Sequence, residues 1–268
     1  MDIRKFFRNQ NLLIIAGLFL STSYLINRRN TTPYFFVSKQ QSSVNFNDEL
    51  LVHFNLGLKR FFSSVLWVST ILESDIDHYK NKDTNSWMFL RFNSISKLEP
   101  QFYENYAFGG PYLSIVKDDL EGASLIYKKG LSFYPNDFNL LKNASFHFYF
   151  EVKDLSSAYP LFKRMKLFPN ISPNYLTTLS RLEANLGNLE EAYAMLSEMQ
   201  MKHSQETLLG KKIYEFRYSL KAEIDLNCLD KKSTNCSLTD LDNNPYLRTL
   251  RGFKAIKNWI PYRPKWKN

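Results

Sequence analysis

An all-α fold of stacked antiparallel helix pairs is what this sequence predicts, on three observations. Alanine recurs at Ala123, Ala158 and Ala192, at steps of 35 and 34 residues. Proline at Pro100, Pro135 and Pro169 keeps the same steps. A period of about 34 residues, with helical pattern on both sides of a turn, marks stacked helix pairs. Composition agrees: only 9 glycines and few alternating valine-rich runs speak against a sheet, while 44% hydrophobic and 16% aromatic content speaks against a disordered chain.

Residues 101–203 hold three such units. One helix pair buries too little surface to fold alone, so the units must stack. Small side chains are needed where helices meet closely, which is where the three alanines fall. Larger apolar residues surround them at helical spacing: Leu125, Ile126 and Tyr127; Tyr159, Phe162 and Met165; Tyr193, Leu196 and Met199. Proline stops the second helix of the first two units. Gly109-Gly110-Pro111 falls inside the first helix of the first unit and is expected to bend or restart it.

At these residues the chain resembles the tetratricopeptide repeat (TPR) family. The third unit carries the resemblance best, with Leu176, Leu179, the run Gly187-Asn188-Leu189-Glu190-Glu191-Ala192, and Leu196. The second offers Asp154-Leu155, Ala158 and Phe162; the first offers Leu120-Glu121-Gly122-Ala123, Tyr127, Gly130 and Pro135. The resemblance covers about a hundred of the 268 residues and implies a TPR-like α-solenoid that binds proteins.

Upstream, residues 1–29 read as a signal anchor or signal peptide. Arg4, Lys5 and Arg8 precede an apolar run from Leu12 to Ile26, which Arg28 and Arg29 close. The strongly apolar core is short for a spanning helix, which needs roughly 17–25 residues. An uncleaved transmembrane anchor is favoured over a cleaved export signal. The basic bias places the start in the cytoplasm and the body outside it, as a single-pass, extracytoplasmic protein. Residues 30–47, rich in Ser, Thr, Gln and Asn, read as a linker.

Residues 48–100 read as a divergent first unit. Asn47-Asp48-Glu49 caps a long buried helix running through Leu72, and Trp87 to Leu98 forms the second helix. Lys59 and Arg60 argue against a second membrane span there. After the array, residues 204–227 form a capping helix through Ile213, Phe216, Leu220 and Ile224.

Residues 228–268 hold a cysteine loop and a basic aromatic tail. Cys228 and Cys236 flank a polar turn and would close a small disulfide in an exported protein; two free thiols are the alternative. The tail contains seven Lys or Arg and no acid over residues 248–268, which leaves about +2 of the +9 net charge on the rest. Leu247, Leu250, Phe253 and Ile256, with Arg248, Arg251, Lys254 and Lys257 one residue behind, fit a basic amphipathic helix. An extended segment with Trp259, Tyr262 and Trp266 follows. Capping the domain, docking on a protein, or touching anionic lipid are the roles open to it; nucleic acid is not expected as a partner.

No chemistry presents itself. His53, His78, His147 and His203 are scattered, and no phosphate loop or nucleophile elbow occurs. Neither an enzyme, nor a cofactor, nor a metal site is expected. The resemblance implies instead that the first helices line a concave groove. Phase from the alanines puts Asn105, Phe108, Tyr112, Asn143, His147, Asn174, Thr177, Arg181 and Asn185 there. Amides and aromatics together suit an extended peptide or a helix of another protein. The expected function is a scaffold or assembly factor of an envelope complex, held to the membrane by its N-terminal helix. The alternative is an anchored receptor whose repeats capture client peptides in the cytosol.

Overall fold

The computed structural model describes residues 17–26, 37–45, 47–250 and 252–262. They fall into two compact units, Met1–Val44 and Asn45–Asn268. In the first unit, residues 17–26 are helical (α1) and exposed throughout. The hydroxyls of Ser21 and Thr22 donate to the Leu18 carbonyl at 2.9 and 2.8 Å, so the polar end of the run is satisfied within the helix. A short turn of helix, α2 (Lys39–Ser42), interrupts the expected linker. The expected anchor lies partly outside the described residues, and among the described residues no helix is long and apolar enough to cross a membrane.

The second unit is helical from α3 (Asp48–His53) and α4 (Lys59–Leu72) through α5 (Trp87–Leu98), α6 (Tyr103–Pro111), α7 (Leu120–Phe133) and α8 (Phe138–Phe146). It continues with α9 (Leu155–Met165), α10 (Pro173–Asn185), α11 (Leu189–Lys202) and α12 (Leu208–Asp230). Side-chain oxygens start most of these helices by accepting the orphan amides of the first turn. Asn47 takes Glu49 and Leu50, Asp119 takes Gly122, Asp137 takes Leu140, Asp154 takes Ser157 and Thr207 takes Gly210.

Adjacent helices pack as pairs: α4 with α5, α6 with α7, α8 with α9, α10 with α11. Each pair also touches the next, α5 meeting α6 and α7, α8 meeting both of those, and α9 meeting α10. Ala123, Ala158 and Ala192 are each 0% exposed, as close helix approach requires. One continuous core runs from Leu66 and Trp87 through Tyr106, Ile126 and Leu140 to Met195. A smaller core, with Ala184, Ala192, Leu196, Ile213 and Leu220, seats α12 at the end.

The unequal steps of the repeat have a structural cause. The residues before the first helices, Phe102, Asp137 and Ser172, are 35 apart each time. Those before the second helices, Asp119, Asp154 and Asn188, are 35 and then 34 apart. In the first two units the first helix ends in a π-helical turn, Tyr112–Val116 and His147–Glu151. There Lys117 N–H donates to the Tyr112 carbonyl at 3.1 Å and Val152 N–H to the His147 carbonyl at 3.0 Å. A bond to the fifth residue back encloses one residue more than an α-helical bond does. The third unit has no such turn and is one residue shorter. Left-handed residues then reverse the chain at equivalent places, Asp118 at φ 54, Lys153 at φ 62 and Gly187 at φ 93.

Several expectations are corrected. Pro111 does not restart the helix, which passes through it into the π turn; a π turn also forms without proline at His147–Glu151. The long helix from Asp48 to Leu72 is two helices, because Leu56 at φ 50 and Gly57 at φ 79 leave helical backbone and Asn55 accepts the Gly57 amide at 3.1 Å. Nor is α4 buried all round: Leu66 is, but Phe61, Val65, Val68 and Leu72 are 45–80% exposed. The capping helix runs to Asp230 and so contains Cys228.

A further correction concerns the tail. No amphipathic helix forms there; residues Leu247–Thr249 (β1) and Gly252–Lys254 (β2) make an antiparallel hairpin. Gly252 sits at φ 126, where side chains are strained, and the Asp230 carboxylate lies against it and accepts the Phe253 amide at 3.0 Å. Leu250, expected on the apolar helix face, projects from the hairpin tip fully exposed.

Candidate functional site

The face of α6, α8 and α10 that the sequence assigns to binding is not uniform. Asn105 and His147 are buried, which corrects their placement on an open surface. Asn105 ties α6 to α5 by donating to the Phe92 carbonyl at 3.0 Å. α5 covers α6 at this point, so the carbonyl of Phe92 takes the place of water as acceptor.

His147 is the hub of a buried network. Its Nδ1 lies 2.8 Å from Ser114 Oγ and its Nε2 lies 2.8 Å from Ser124 Oγ. Ser114 belongs to the first π turn and His147 begins the second, so the ring joins the two turns. Burial drives the imidazole down to about 4, and it is neutral at physiological pH. The Ser124 hydroxyl also donates to the Leu120 carbonyl at 2.8 Å. A serine beside a histidine is the start of a nucleophile–base pair. Here both ring nitrogens are held by hydroxyls, and the arrangement is a fastening between helices.

The other assigned residues are accessible. Phe108 is 58% exposed, its ring meeting Trp67 of α4 edge-on at 6.2 Å. Tyr112 and Asn143 are half-buried and Asn174 is exposed. Thr177, Arg181 and Asn185 are half-buried along α10. Arg181 Nε and Asn185 Nδ2, one turn apart on that helix, are shielded donors with no acceptor among the described residues.

The C-terminal tail returns to this same stretch of α10. Tyr262 is buried, with its hydroxyl 2.6 Å from Ser180 Oγ and donating to the Thr177 carbonyl at 2.9 Å. Its ring lies 4.8 Å from that of Phe216 on α12. The Arg181 guanidinium stands 4.9 Å from the Phe216 ring and 5.3 Å from the Tyr262 ring, within cation–π range of both. Burial pushes the Tyr262 hydroxyl up to about 12, so it stays protonated and able to donate. Beside it is a cavity of about 380 Å³ lined by Arg181, Glu215, Phe216, Lys257, Trp259 and Tyr262.

The rest of the tail is pinned to α12 by tyrosine–carboxylate pairs. Tyr218 donates to Asp240 at 2.7 Å and Tyr246 donates to Asp225 at 2.8 Å. Lys257 lies 4.6 Å from the Tyr218 ring and 3.6 Å from Asp242. The expected basic stripe therefore does not form. Arg248 pairs across the hairpin with Phe253 and Lys254 with Leu247, which puts the two cations on opposite faces. Trp259 is half-buried at the cavity; Arg251 and Trp266 lie outside the described residues. Cys228 and Cys236 are joined by a disulfide, with a Cα–Cα distance of 5.6 Å.

The seat of Tyr262 is what sequence reasoning missed. Its parts, Thr177, Ser180, Arg181 and Phe216, come from α10 and α12 and meet a side chain 82 residues after Ser180. The one available signal was Pro261-Tyr262, an aromatic next to a proline in a segment with no helical period. Among the described residues no cluster of His, Cys, Asp or Glu is arranged to hold a metal ion. No family model, curated protein or solved structure matches this chain.

Proposed function

We propose that this protein is a TPR-like α-solenoid, tethered to a membrane or exported, that serves as a scaffold or assembly factor by docking an extended segment of another protein along α6, α8 and α10. The observation that carries this reading is the seat of Tyr262. A proline-flanked aromatic side chain is held there by a backbone carbonyl, a serine hydroxyl and an arginine–phenylalanine stack. That is the chemistry by which a groove takes an extended peptide. Further along the same face, exposed Phe108 and half-buried Tyr112 and Asn143 offer rings and an amide to the continuation of such a segment.

An extracytoplasmic body is supported by the Cys228–Cys236 disulfide, because such bonds persist in oxidising compartments. Two measurements test the proposal. A photo-crosslinking residue at Phe108 in intact cells is expected to give one discrete adduct, while the same residue at Glu190, exposed on α11, gives none. Equal adducts at both positions, or none at Phe108, contradict the groove reading. An impermeant maleimide is expected to label Cys228 and Cys236 from outside only after reduction. Labelling that requires lysis and no reductant would favour the cytosolic client receptor.

A further inference from the structure

The helix α4 presents an apolar face outward. Its inner side, with Leu66 buried and Trp67 and Ile71 packed behind it, belongs to the core. Its outer side carries Phe61, Val65, Val68 and Leu72, spaced four, three and four residues apart, which forms one stripe on a helix. Their exposures are 61, 45, 47 and 80%. The loop before it adds Phe54 at 73%, Leu56 at 87% and Leu58 at 53%. A terminal helix of a stacked array ordinarily turns a polar side to water. A contiguous apolar patch of this kind marks a contact surface.

Along the stripe itself the charge is basic, and of the acids at its two ends Asp48, Glu73 and Asp75 are engaged by Lys97, Arg91 and Lys117. From Leu50 to Leu72 the sequence has no Asp or Glu, and its ionisable side chains are His53, Lys59 and Arg60, all exposed. Ser64, beside the stripe, turns its hydroxyl back to the Arg60 carbonyl at 2.8 Å and offers nothing outward. At 14 residues and with two cations at its start, α4 is too short and too charged to cross a bilayer. An apolar stripe, phenylalanine and leucine in the preceding loop, and cations at one end are the features of a helix lying in the headgroup layer. A second copy packed parallel to this helix would place Lys59 and Arg60 near like charges, whereas anionic headgroups complement them in any orientation.

We propose that the outer face of α4, with Phe54, Leu56 and Leu58, lies in the headgroup–acyl boundary of a membrane containing anionic lipid. The proposal rests on the tether reading only for proximity: Lys59 follows Ile26 by 33 residues, so an anchored chain holds α4 near the surface. Docked there, α4 orients the array and leaves α6, α8 and α10 free for a protein partner.

The test uses the full chain reconstituted in vesicles, without reductant so that Cys228 and Cys236 stay bonded. A polarity-sensitive fluorophore is attached to Val65→Cys, Val68→Cys or Lys202→Cys, and vesicles contain nitroxide-labelled lipid. The first two probes are expected to be quenched several-fold more than the third, and to lose that quenching in zwitterionic vesicles at high salt. Val65→Asp/Val68→Asp, both at exposed positions, is expected to keep the parent circular dichroism and Tm while a probe at Leu72→Cys escapes quenching. Equal quenching at all three positions overturns the proposal. So does a water-exposed signal at Val65→Cys and Val68→Cys, or a dry, unquenched signal that grows with protein concentration and identifies a second copy as the occupant. Flotation of the Val65→Asp/Val68→Asp chain, which lacks the α4 contact, separately reports the N-terminal tether, so the two readings fail distinguishably.

Discussion

The hydroxyl of Tyr262 lies 2.6 Å from that of Ser180, joining the last turn of the described chain to the middle of α10. It also donates to the Thr177 carbonyl, and its ring fills the smaller core beside Phe216. Tyr262→Phe removes the hydrogen bonds and leaves the ring; it is expected to cost about 1 kcal/mol. Tyr262→Ala also empties the seat, and is expected to cost about 3 kcal/mol. Urea unfolding of the two variants checks the order. Equal, negligible losses would mean that the tail contributes nothing to the fold.

His147 predicts a pH dependence. Its folded value is depressed to about 4 by burial, from an ordinary 6.5. Below 6.5 the unfolded chain takes up a proton that the folded chain refuses, so the contribution present above 6.5 is lost as pH falls toward 4. The loss over that window is at most about 3 kcal/mol. His147→Gln is expected to flatten that part of the profile, measured as urea midpoints between those limits.

The π turns predict where a residue is expendable. Ile115 lies in the first of them and is 74% exposed. Deleting it is expected to convert Tyr112–Val116 to α-helix, shorten the first unit to the length of the third, and preserve a cooperative melt. Deleting Ser180 from α10, which has no π turn to absorb the change, is expected to abolish cooperative unfolding. Comparable Tm losses for the two deletions would contradict the account of the unequal steps.

The packed pairs of helices were legible because the contacts that demand alanine recur in the chain at Ala123, Ala158 and Ala192. The same steps held the π turns in plain view, since 35 and then 34 residues is a length difference with a backbone cause. It took the hydrogen bonds of Lys117 and Val152 to assign it. Asn105 and His147 were misplaced because polar residues at helical phase look like surface until their partners are known. Those partners, the Phe92 carbonyl and two serine hydroxyls, come from other helices. In the tail, the three-residue spacing of Leu247, Leu250 and Phe253 fits a helix as well as chance does. Gly252 against Asp230 decides for the hairpin, and no periodicity encodes that contact.

The Cys228–Cys236 bond closes a short loop at the end of α12, two residues before Asp230, which holds the Phe253 amide. Replacing both cysteines by serine is expected to cost about 2 kcal/mol. The change is expected to be local: hydrogen exchange should rise over Leu247–Lys254 and remain at parent levels in α6 to α11. A rise that spreads evenly through the array would contradict a local role.

The most direct test of the docking account is to free the seat and supply its occupant from outside. A fluorescent peptide with the sequence of residues 257–268 is titrated into the full-length Tyr262→Ala protein and into the parent, and anisotropy is recorded. Saturable binding to Tyr262→Ala is expected, with weaker binding to the parent whose own tail competes, and loss of binding when the peptide's tyrosine is replaced by alanine. Binding that ignores that tyrosine, or none to the freed seat, would contradict it.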